Sequence, residues 1–460
     1  MTIHIRNTLS VQDVAIVTGG KLINPIEKDI KTVTTDSREI GEDALFIAIR
    51  GDRFDGNDYV VSAAEKGAVC SLCERVPENF VGTAILVKDT RLAMGKLARA
   101  YKAQIAPITV GVTGSVGKTT TKEFIYSVLS ERYNTLKTCG NYNNEIGLPM
   151  TLLGLSAENN AAVLEMGMSA KGEIEYLTKI ACPDVAVITN IGTSHIGNLG
   201  SREAIRDAKM EIVKGMKSGG ILILNGDEPL LANIEGAKYV ALHNSKADCY
   251  ADNIFEGEHG TAFDLVLRGE RFECITIPTV GEHNVMNAAF AWLVGTLLGI
   301  GEFQMRRGLM KFKNVGMRQS VYTVSERTVI EDCYNASPES MVASLGVLAS
   351  LSNQREKRSV AVLGDMRELG EYASSEHAKI GEIVVEKGID VLVTFGKDAE
   401  EIAHAALTCG MNSDHVYTFA DSEDIVALGK ALKRITRKGD VVLFKASRAL
   451  SLERAIAYLK

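Results

Sequence analysis

Short apolar runs recur along this 460-residue chain with room for one helix between each run and the next, and that alternation limits the folds open to it. Runs at 108–112, 161–164, 185–189 and 221–224 form one series, and runs at 359–363, 391–395 and 441–444 form another. Strands that are apolar throughout and separated by amphipathic helices belong to parallel sheets covered on both faces, so the fold class is α/β. The first 83 residues differ, with β-rich pieces such as 44–49, loop signals at Gly51-Asp52 and Asp55-Gly56-Asn57, and an amphipathic stretch at 61–66. A strand at 84–87 and a helix at 91–102 then open the central series. Three domains are therefore expected, at 1–83, 84–314 and 315–460, which suits a chain of this length.

Composition narrows the function classes. With 46% apolar and 24% charged residues the chain can build several cores, which excludes a disordered or fibrous protein. A formal charge of -7 offers no general basic field for nucleic acid or an anionic membrane, so neither is an expected partner. The first twenty residues lack the apolar core of a signal peptide, and the longest apolar stretch, 288–300, contains Thr296 and two glycines and is short for a bilayer span. A soluble, cytoplasmic protein is expected. Eight cysteines are scattered at 70, 73, 139, 182, 249, 274, 333 and 409, and only Cys70 and Cys73 form a CxxC. No second pair or nearby histidine completes a zinc set, and the flanks are apolar, so these read as reduced, structural thiols.

The strand at 108–112 runs directly into Thr113-Gly114-Ser115-Val116-Gly117-Lys118-Thr119-Thr120 and then a helical stretch, 121–130. Gly114 and Gly117 let backbone amides turn inward, and a helix start adds unsatisfied N–H groups and a positive dipole end, which together suit a phosphate. Lys118 is placed to reach the β and γ phosphates, and the Thr119 hydroxyl to ligate magnesium. The competing interpretation is a glycine-rich turn with a solvated lysine. The widespread GxxxxGK[ST] spelling wants glycine at position 112, where this chain has Val112, so TGxxGKTT describes it better.

That spelling, with Lys137-Thr138-Cys139-Gly140-Asn141-Tyr142-Asn143-Asn144-Glu145-Ile146-Gly147-Leu148-Pro149 downstream, resembles the Mur ligases and their folylpolyglutamate synthetase relatives. Other strings follow in order: Glu165-Met166-Gly167-Met168, Asn190-Ile191-Gly192 leading to His195, Ala208-Lys209-Met210, Gly281-Glu282-His283-Asn284 with Asn287, Glu331-Asp332-Cys333-Tyr334-Asn335-Ala336-Ser337-Pro338, Leu363-Gly364-Asp365-Met366-Arg367-Glu368-Leu369-Gly370 with His377, and Lys445-Ala446-Ser447-Arg448. The resemblance implies a three-domain Mur ligase architecture: an N-terminal UDP-sugar-binding domain, a central P-loop ATPase domain on a parallel sheet, and a C-terminal Rossmann-like domain for the acceptor. The string from Gly140 to Pro149 is most similar to the branch that joins D-alanyl-D-alanine to UDP-N-acetylmuramoyl-tripeptide through an acyl phosphate. It implies ATP and two magnesium ions as cofactors, these two molecules as substrate partners, and a monomer.

The same resemblance implies residue roles. Residues 113–120 would hold phosphates, Asn287 the adenine, Arg318 a phosphate and Asp332 the ribose. Thr119, Glu165, His195 and Lys209 would serve the metals, Lys209 after carbamylation, and with Lys118 they form the catalytic set. Ser37 and Arg38, within Thr35-Asp36-Ser37-Arg38, would address the UDP group; Asn141, Asn144, Asn335, Ser337, Lys445, Ser447 and Arg448 are further substrate-binding candidates. Taken singly, each also has an ordinary reading: a cap or turn for the N-terminal strings, a hydrogen-bonded loop residue for Glu165 and His195, a surface hinge arginine for Arg318 and a solvated lysine for Lys209. Two departures fall at the acceptor end, where the family's Asn-Ala-Asn-Pro is Asn335-Ala336-Ser337-Pro338 and its Lys-Gly-Ser-Arg is Lys445-Ala446-Ser447-Arg448. Ser337 has no amide donor, and Ala446 tolerates fewer backbone angles than glycine. Another Mur-type amide ligase, a P-loop NTPase switch and a noncatalytic precursor binder remain the alternatives. If the cysteines are all reduced, Ellman titration of the unfolded, unreduced chain should find eight thiols, whereas any disulfide would lower that count.

Overall fold

The computed structural model describes residues 1–258 and 260–460, and its strands form three sheets of six, nine and six members. In the first sheet the order is Thr2–His4, Thr32–Thr34, Ala44–Ile47, Ala68–Cys73, Ala84–Leu86, Lys21–Ile23. Its inner strands pair in parallel and both outer strands antiparallel. Ala44–Ile47 is buried along its whole length, as a central strand covered on both faces must be. The strand near position 84 belongs here, between Ala68–Cys73 and Lys21–Ile23, and does not open the central sheet. Its apolar residues suit either sheet, so its pairing is decided by non-local contacts.

The nine-stranded sheet has the order Glu270–Ile277, Gly260–Leu267, Cys249–Gly257, Lys238–Ala241, Ile221–Asn225, Val185–Ile188, Ile108–Thr113, Ala161–Glu165, Thr135–Lys137. Ile108–Thr113 pairs in parallel with Ala161–Glu165, as the apolar pattern predicts. The antiparallel meander at the far edge, over Cys249–Ile277, lies outside that prediction. Those strands alternate buried and exposed residues and present fewer uninterrupted apolar positions, which is why their sequence signal is weak. The third sheet runs Ser320–Val324, Arg327–Glu331, Val441–Lys445, Ser359–Gly364, Val391–Phe395, Val416–Phe419, parallel except for the first strand. Its three central strands are completely buried, on a core that includes Val362, Phe395 and Phe444.

The residues fall into two compact units. One comprises Met1–Thr113, Arg132–Val187 and Met210–Leu222; the other comprises Gly114–Glu131, Ile188–Lys209 and Ile223–Lys460. In the first unit, helix Thr90–Ile105 is capped by Asp89, whose side chain accepts from the Leu92 amide, and buries Met94, Leu97, Ala98 and Tyr101. In the second, helix Glu282–Leu297 buries every residue from Asn284 to Gly295, the behaviour of a helix enclosed by its own domain. Among the described residues no helix is long and apolar enough to cross a membrane. Trp292, the single tryptophan, lies fully buried in that helix. Its native emission should therefore be blue-shifted and unquenched by iodide, moving to the red only as the second unit unfolds in urea; iodide quenching of the native protein would contradict this packing.

Candidate nucleotide and ligase site

The phosphate loop is built within the second unit. Gly117 adopts φ +81° and caps helix Lys118–Leu129, a backbone state that strains any residue with a Cβ. Gly114 has φ +150°, and a Cβ there would drive into the Thr189 side chain. The loop's shape is pinned by Asn190, whose Oδ1 accepts from the Ser115 and Val116 amides at 3.1 and 2.9 Å. Around it, Thr189 Oγ1 donates to the Val116 carbonyl at 2.5 Å and the Gly192 amide donates to Ser115 Oγ at 2.8 Å. Lys118 Nζ curls back to the Gly114 and Ser115 carbonyls at 2.8 and 3.1 Å, which holds the ammonium over the loop. Thr119 is buried in the first turn of the helix, while Thr120 is half-buried. Asn190 and Thr189 were not among the candidates. Asn190 opens the string that leads to His195 without a role of its own, and the sequence signal the two share is position, immediately after an apolar strand, where ligand-facing residues of parallel sheets concentrate.

His195, in the same unit, has φ +65°, and its Nδ1 lies 2.8 Å from Glu368 Oε2. The Gly197 amide also donates to the Glu368 carbonyl at 3.2 Å. The bond to His195, and then the charge of Lys118, hold the Glu368 carboxyl below the usual carboxylate range. Glu368 is thus the member of the Leu363–Gly370 string that reaches the site. Asp365 instead accepts from the Ala399 amide at 2.9 Å, and His377 accepts at Nε2 from the Met366 amide at 2.9 Å, both structural tasks. Lys209 is buried, and desolvation, then repulsion from Lys118, pushes its ammonium far below the ordinary lysine value. Glu339 is a further unanticipated carboxylate: its Oε1 accepts from the Thr193 amide at 2.7 Å and hydroxyl at 3.0 Å.

Asn287 Oδ1 accepts from Thr121 Oγ1 at 2.8 Å, which ties it to the phosphate-loop helix. The Arg318 guanidinium lies over the Tyr334 ring, 3.6 Å from its centroid. Asp332 follows strand Arg327–Glu331 and receives Lys445 Nζ and Ser344 Oγ, each at 2.6 Å on Oδ2. Burial raises its pKa, but the Lys445 charge and these hydrogen bonds outweigh it and leave the carboxyl below the usual carboxylate range. Lys445 also reaches the Asn335 carbonyl at 3.2 Å, so Asp332, Asn335 and Lys445 are brought together. Ser337 spends its amide on Ser340 Oγ at 2.9 Å and caps helix Pro338–Gln354. Ser447 Oγ accepts from the Arg367 amide at 2.8 Å, and Arg448 pairs with Glu453 at 2.8 Å.

Within the first unit, Thr113 Oγ1 donates to the Met166 carbonyl at 2.9 Å. Glu165 is buried at a strand end, with Asn143 Nδ2 donating to its Oε1 at 2.9 Å and its amide donating to Thr138 Oγ1 at 3.0 Å. Asn144 Oδ1 accepts from the Gly147 amide at 2.9 Å and so starts helix Gly147–Leu153, whereas Asn141 is exposed. Arg38 forks onto Asp36 at 2.9 and 2.7 Å, and the Ser37 carbonyl accepts from Lys66 Nζ at 2.8 Å. Arg38 is 85% exposed, so this in-turn partner is one that a ligand can displace. Cys70 and Cys73 are free and buried, their thiols pushed up to about 12 by burial, as expected of structural cysteine. Among the described residues no three His, Cys, Asp or Glu side chains gather to hold a metal. A magnesium beside phosphates needs few protein ligands, so Thr119 and isolated carboxylates suit it better than a protein cage would.

Comparison with known proteins places these features in a family. The model for the Mur ligase middle domain matches residues 112–295, that for the Mur ligase glutamate ligase domain matches 317–448, and that for the Mur ligase family catalytic domain matches 29–102. The UDP-N-acetylmuramoyl-tripeptide–D-alanyl-D-alanine ligase of Bacillus subtilis (strain 168) is 42% identical over 97% of both chains, and that of Escherichia coli (strain K12) is 34% identical over 94% of both. Among solved structures, MurF from Acinetobacter baumannii aligns over 99% of this chain and 100% of its own with a TM-score of 0.89 at 31% identity. MurF from Thermotoga maritima in complex with ADP aligns over 93% and 96%, with a TM-score of 0.82 at 32% identity.

The buried Lys209 makes a testable demand. A lysine whose folded value is depressed binds fewer protons than its unfolded form, so it lowers stability at neutral pH, and the loss fades as pH climbs towards 10.5. Lys209→Met should therefore raise the melting temperature at pH 7, with a gain that shrinks as the pH is raised; a lower melting temperature at pH 7 would contradict the cost of burying the amine.

Proposed function

The chain belongs to the Mur ligase family, and from that premise we propose that it joins D-alanyl-D-alanine to UDP-N-acetylmuramoyl-tripeptide, with ATP as the activating co-substrate, in peptidoglycan precursor synthesis. The observation that carries this reading is the end-to-end match to relatives of that activity. The phosphate loop supports it independently, as strand, glycine turn and helix start in the arrangement phosphates need.

A carboxylate does not exchange its oxygen for an amine in water at useful rates, and phosphorylation supplies the missing leaving group. The tripeptide carboxylate attacks the γ-phosphorus of ATP and ADP departs. The acceptor amine then attacks the acyl carbon, inorganic phosphate leaves, and the amide bond is closed in the UDP-linked pentapeptide. Both reactants of the first step are anions, so Lys118 offsets their repulsion and holds the phosphate chain in line. Arg318 adds a second fixed cation, stiffened by its stacking on Tyr334. The metal roles go to Thr119, His195 and Lys209, and separately to Glu165; magnesium bound there supplies charge neutralisation at the transferring phosphoryl group. Burial, and then the charge of Lys118, lower the pKa of the Lys209 amine and so favour its unprotonated form, the form that adds carbon dioxide; the carbamate that results, with release of a proton, is an anionic oxygen ligand. Asn287 and Asp332 are assigned to adenine and ribose, and Ser37 and Arg38 to the UDP group.

We assign the UDP-linked donor to the N-terminal domain, extended through strand Ala84–Leu86, ATP to the central domain and the acceptor to the C-terminal domain from about residue 315. Asn141, Asn144, Asn335, Ser337, Lys445, Ser447 and Arg448 remain substrate-binding candidates, of which Asn144 and Ser337 also start helices. The decisive assay incubates the protein with ATP, magnesium, UDP-N-acetylmuramoyl-tripeptide and D-alanyl-D-alanine and weighs the products. ADP and pentapeptide should form in equal amounts, and Lys118→Ala should lower turnover by a factor on the order of a hundred or more. ADP release without pentapeptide would instead favour an NTPase switch, and product only with another acceptor a different amide ligase.

A further inference from the structure

The central helix Glu282–Leu297 and the residues leading into the third sheet are joined by one side chain, Gln319. Its Oε1 accepts from His283 Nε2 at 2.9 Å and from Asn284 Nδ2 at 3.1 Å, and its Nε2 donates to the Val280 carbonyl at 2.6 Å. Its backbone amide donates to Asp332 Oδ1 at 3.3 Å. On the other side, Asn287 Nδ2 donates to Asn284 Oδ1 at 3.4 Å while Asn287 Oδ1 holds Thr121. The result is a continuous polar chain from the phosphate-loop helix through Asn287, Asn284 and Gln319 to Asp332 and Lys445. Asn284, Asn287 and Gln319 are all buried, where a partner lost is not replaced by water.

Gln319 also has φ +46°, a left-handed backbone that a residue with a Cβ keeps only when its surroundings hold it there. The three bonds of its amide provide that hold, and the constrained backbone directs its neighbour Arg318 and its own N–H towards the Tyr334 and Asp332 side.

We infer that Gln319 is a positioning residue for the nucleotide: it sets the separation between Asn287 on the central helix and Asp332 beside the third sheet, so that both address one bound ATP. This rests on the nucleotide roles proposed above. It makes nucleotide affinity, and not the stability of either sheet, the property most sensitive to that side chain.

Gln319→Met keeps the length and removes every side-chain hydrogen bond, and Gln319→Glu keeps an oxygen for His283 and Asn284. ADP binding by calorimetry should weaken by about tenfold in Gln319→Met, the loss expected for an unmade buried hydrogen bond. It should weaken in Gln319→Glu as well, because the accepting oxygen persists but a carboxylate oxygen replaces the donor that faces the Val280 carbonyl. KM for ATP should rise with the ADP dissociation constant while kcat at saturating ATP stays within about twofold, the pattern of lost binding rather than lost chemistry. UDP-N-acetylmuramoyl-tripeptide affinity should not move. If Gln319→Met lowers the melting temperature yet binds ADP as tightly as the parent, or loses ADP and tripeptide affinity together, Gln319 is structural and the inference falls. Should Gln319→Met fail to fold, His283→Phe removes one bond only; a smaller but selective loss of ADP affinity supports the inference and an unchanged affinity overturns it. A parent protein that binds ADP but makes no pentapeptide would defeat the ligase reading and leave the Gln319 titration still decisive.

Discussion

Everything proposed for phosphate chemistry depends on one side-chain oxygen, Asn190 Oδ1, and the two consecutive loop amides that end on it. A glycine-rich turn has little conformational preference of its own, and the freedom that lets Gly114 and Gly117 adopt positive φ would also let the loop wander. Asn190 removes that freedom from the far side. With the loop held, the Gly114 and Ser115 carbonyls stand where Lys118 can fold onto them, and the helix that follows starts at a defined point. Preorganisation of this kind matters because a cation that must move into place during the reaction stabilises the transition state less than one already there.

A second theme is that residues of the third sheet's domain reach back to loops of the central one within the same compact unit. Glu368 meets His195, Glu339 meets Thr193, and Gln319 meets His283 and Asn284. Each contact is polar and directional, and a carboxylate or amide meets a residue next to the proposed chemistry. The Cα of Gly192 is pressed by the Glu339 carboxylate so closely that a Cβ would collide with it, which gives that glycine a packing reason beyond turn formation. Contacts of this type couple the geometry of one domain to that of the other, which suits a reaction whose acceptor and activated donor arrive separately.

The phosphate loop was fully legible, because a buried strand, two glycines, a lysine and a helix start are consecutive in sequence. So were the buried parallel strands, whose uninterrupted apolar runs admit few other structures. Strand Ala84–Leu86 was misplaced because three apolar residues fit any sheet, and the meander over Cys249–Ile277 was missed because alternating, half-exposed strands look like ordinary surface chain. The motif strings mixed tasks that sequence could not separate. In Leu363–Gly370, Asp365 serves a helix start and Glu368 serves His195. In the 141–149 string, Asn144 begins a helix while Asn143 holds Glu165.

By itself the sequence determined the residue types available and their local form, since periodicity, glycine placement and helix capping act over a few residues and leave a mark at short range. It also determined the family, because many short strings in a fixed order are hard to meet by chance. The tertiary structure alone decided which polar atoms face each other: that Asn190 and not solvent fills the loop amides, that Asp332 is shared by Lys445, Ser344 and Gln319, and that Lys209 is buried deeply enough for its pKa to be lowered. Hydrogen bonds and desolvation depend on distances between residues far apart in the chain, and no local pattern carries that information.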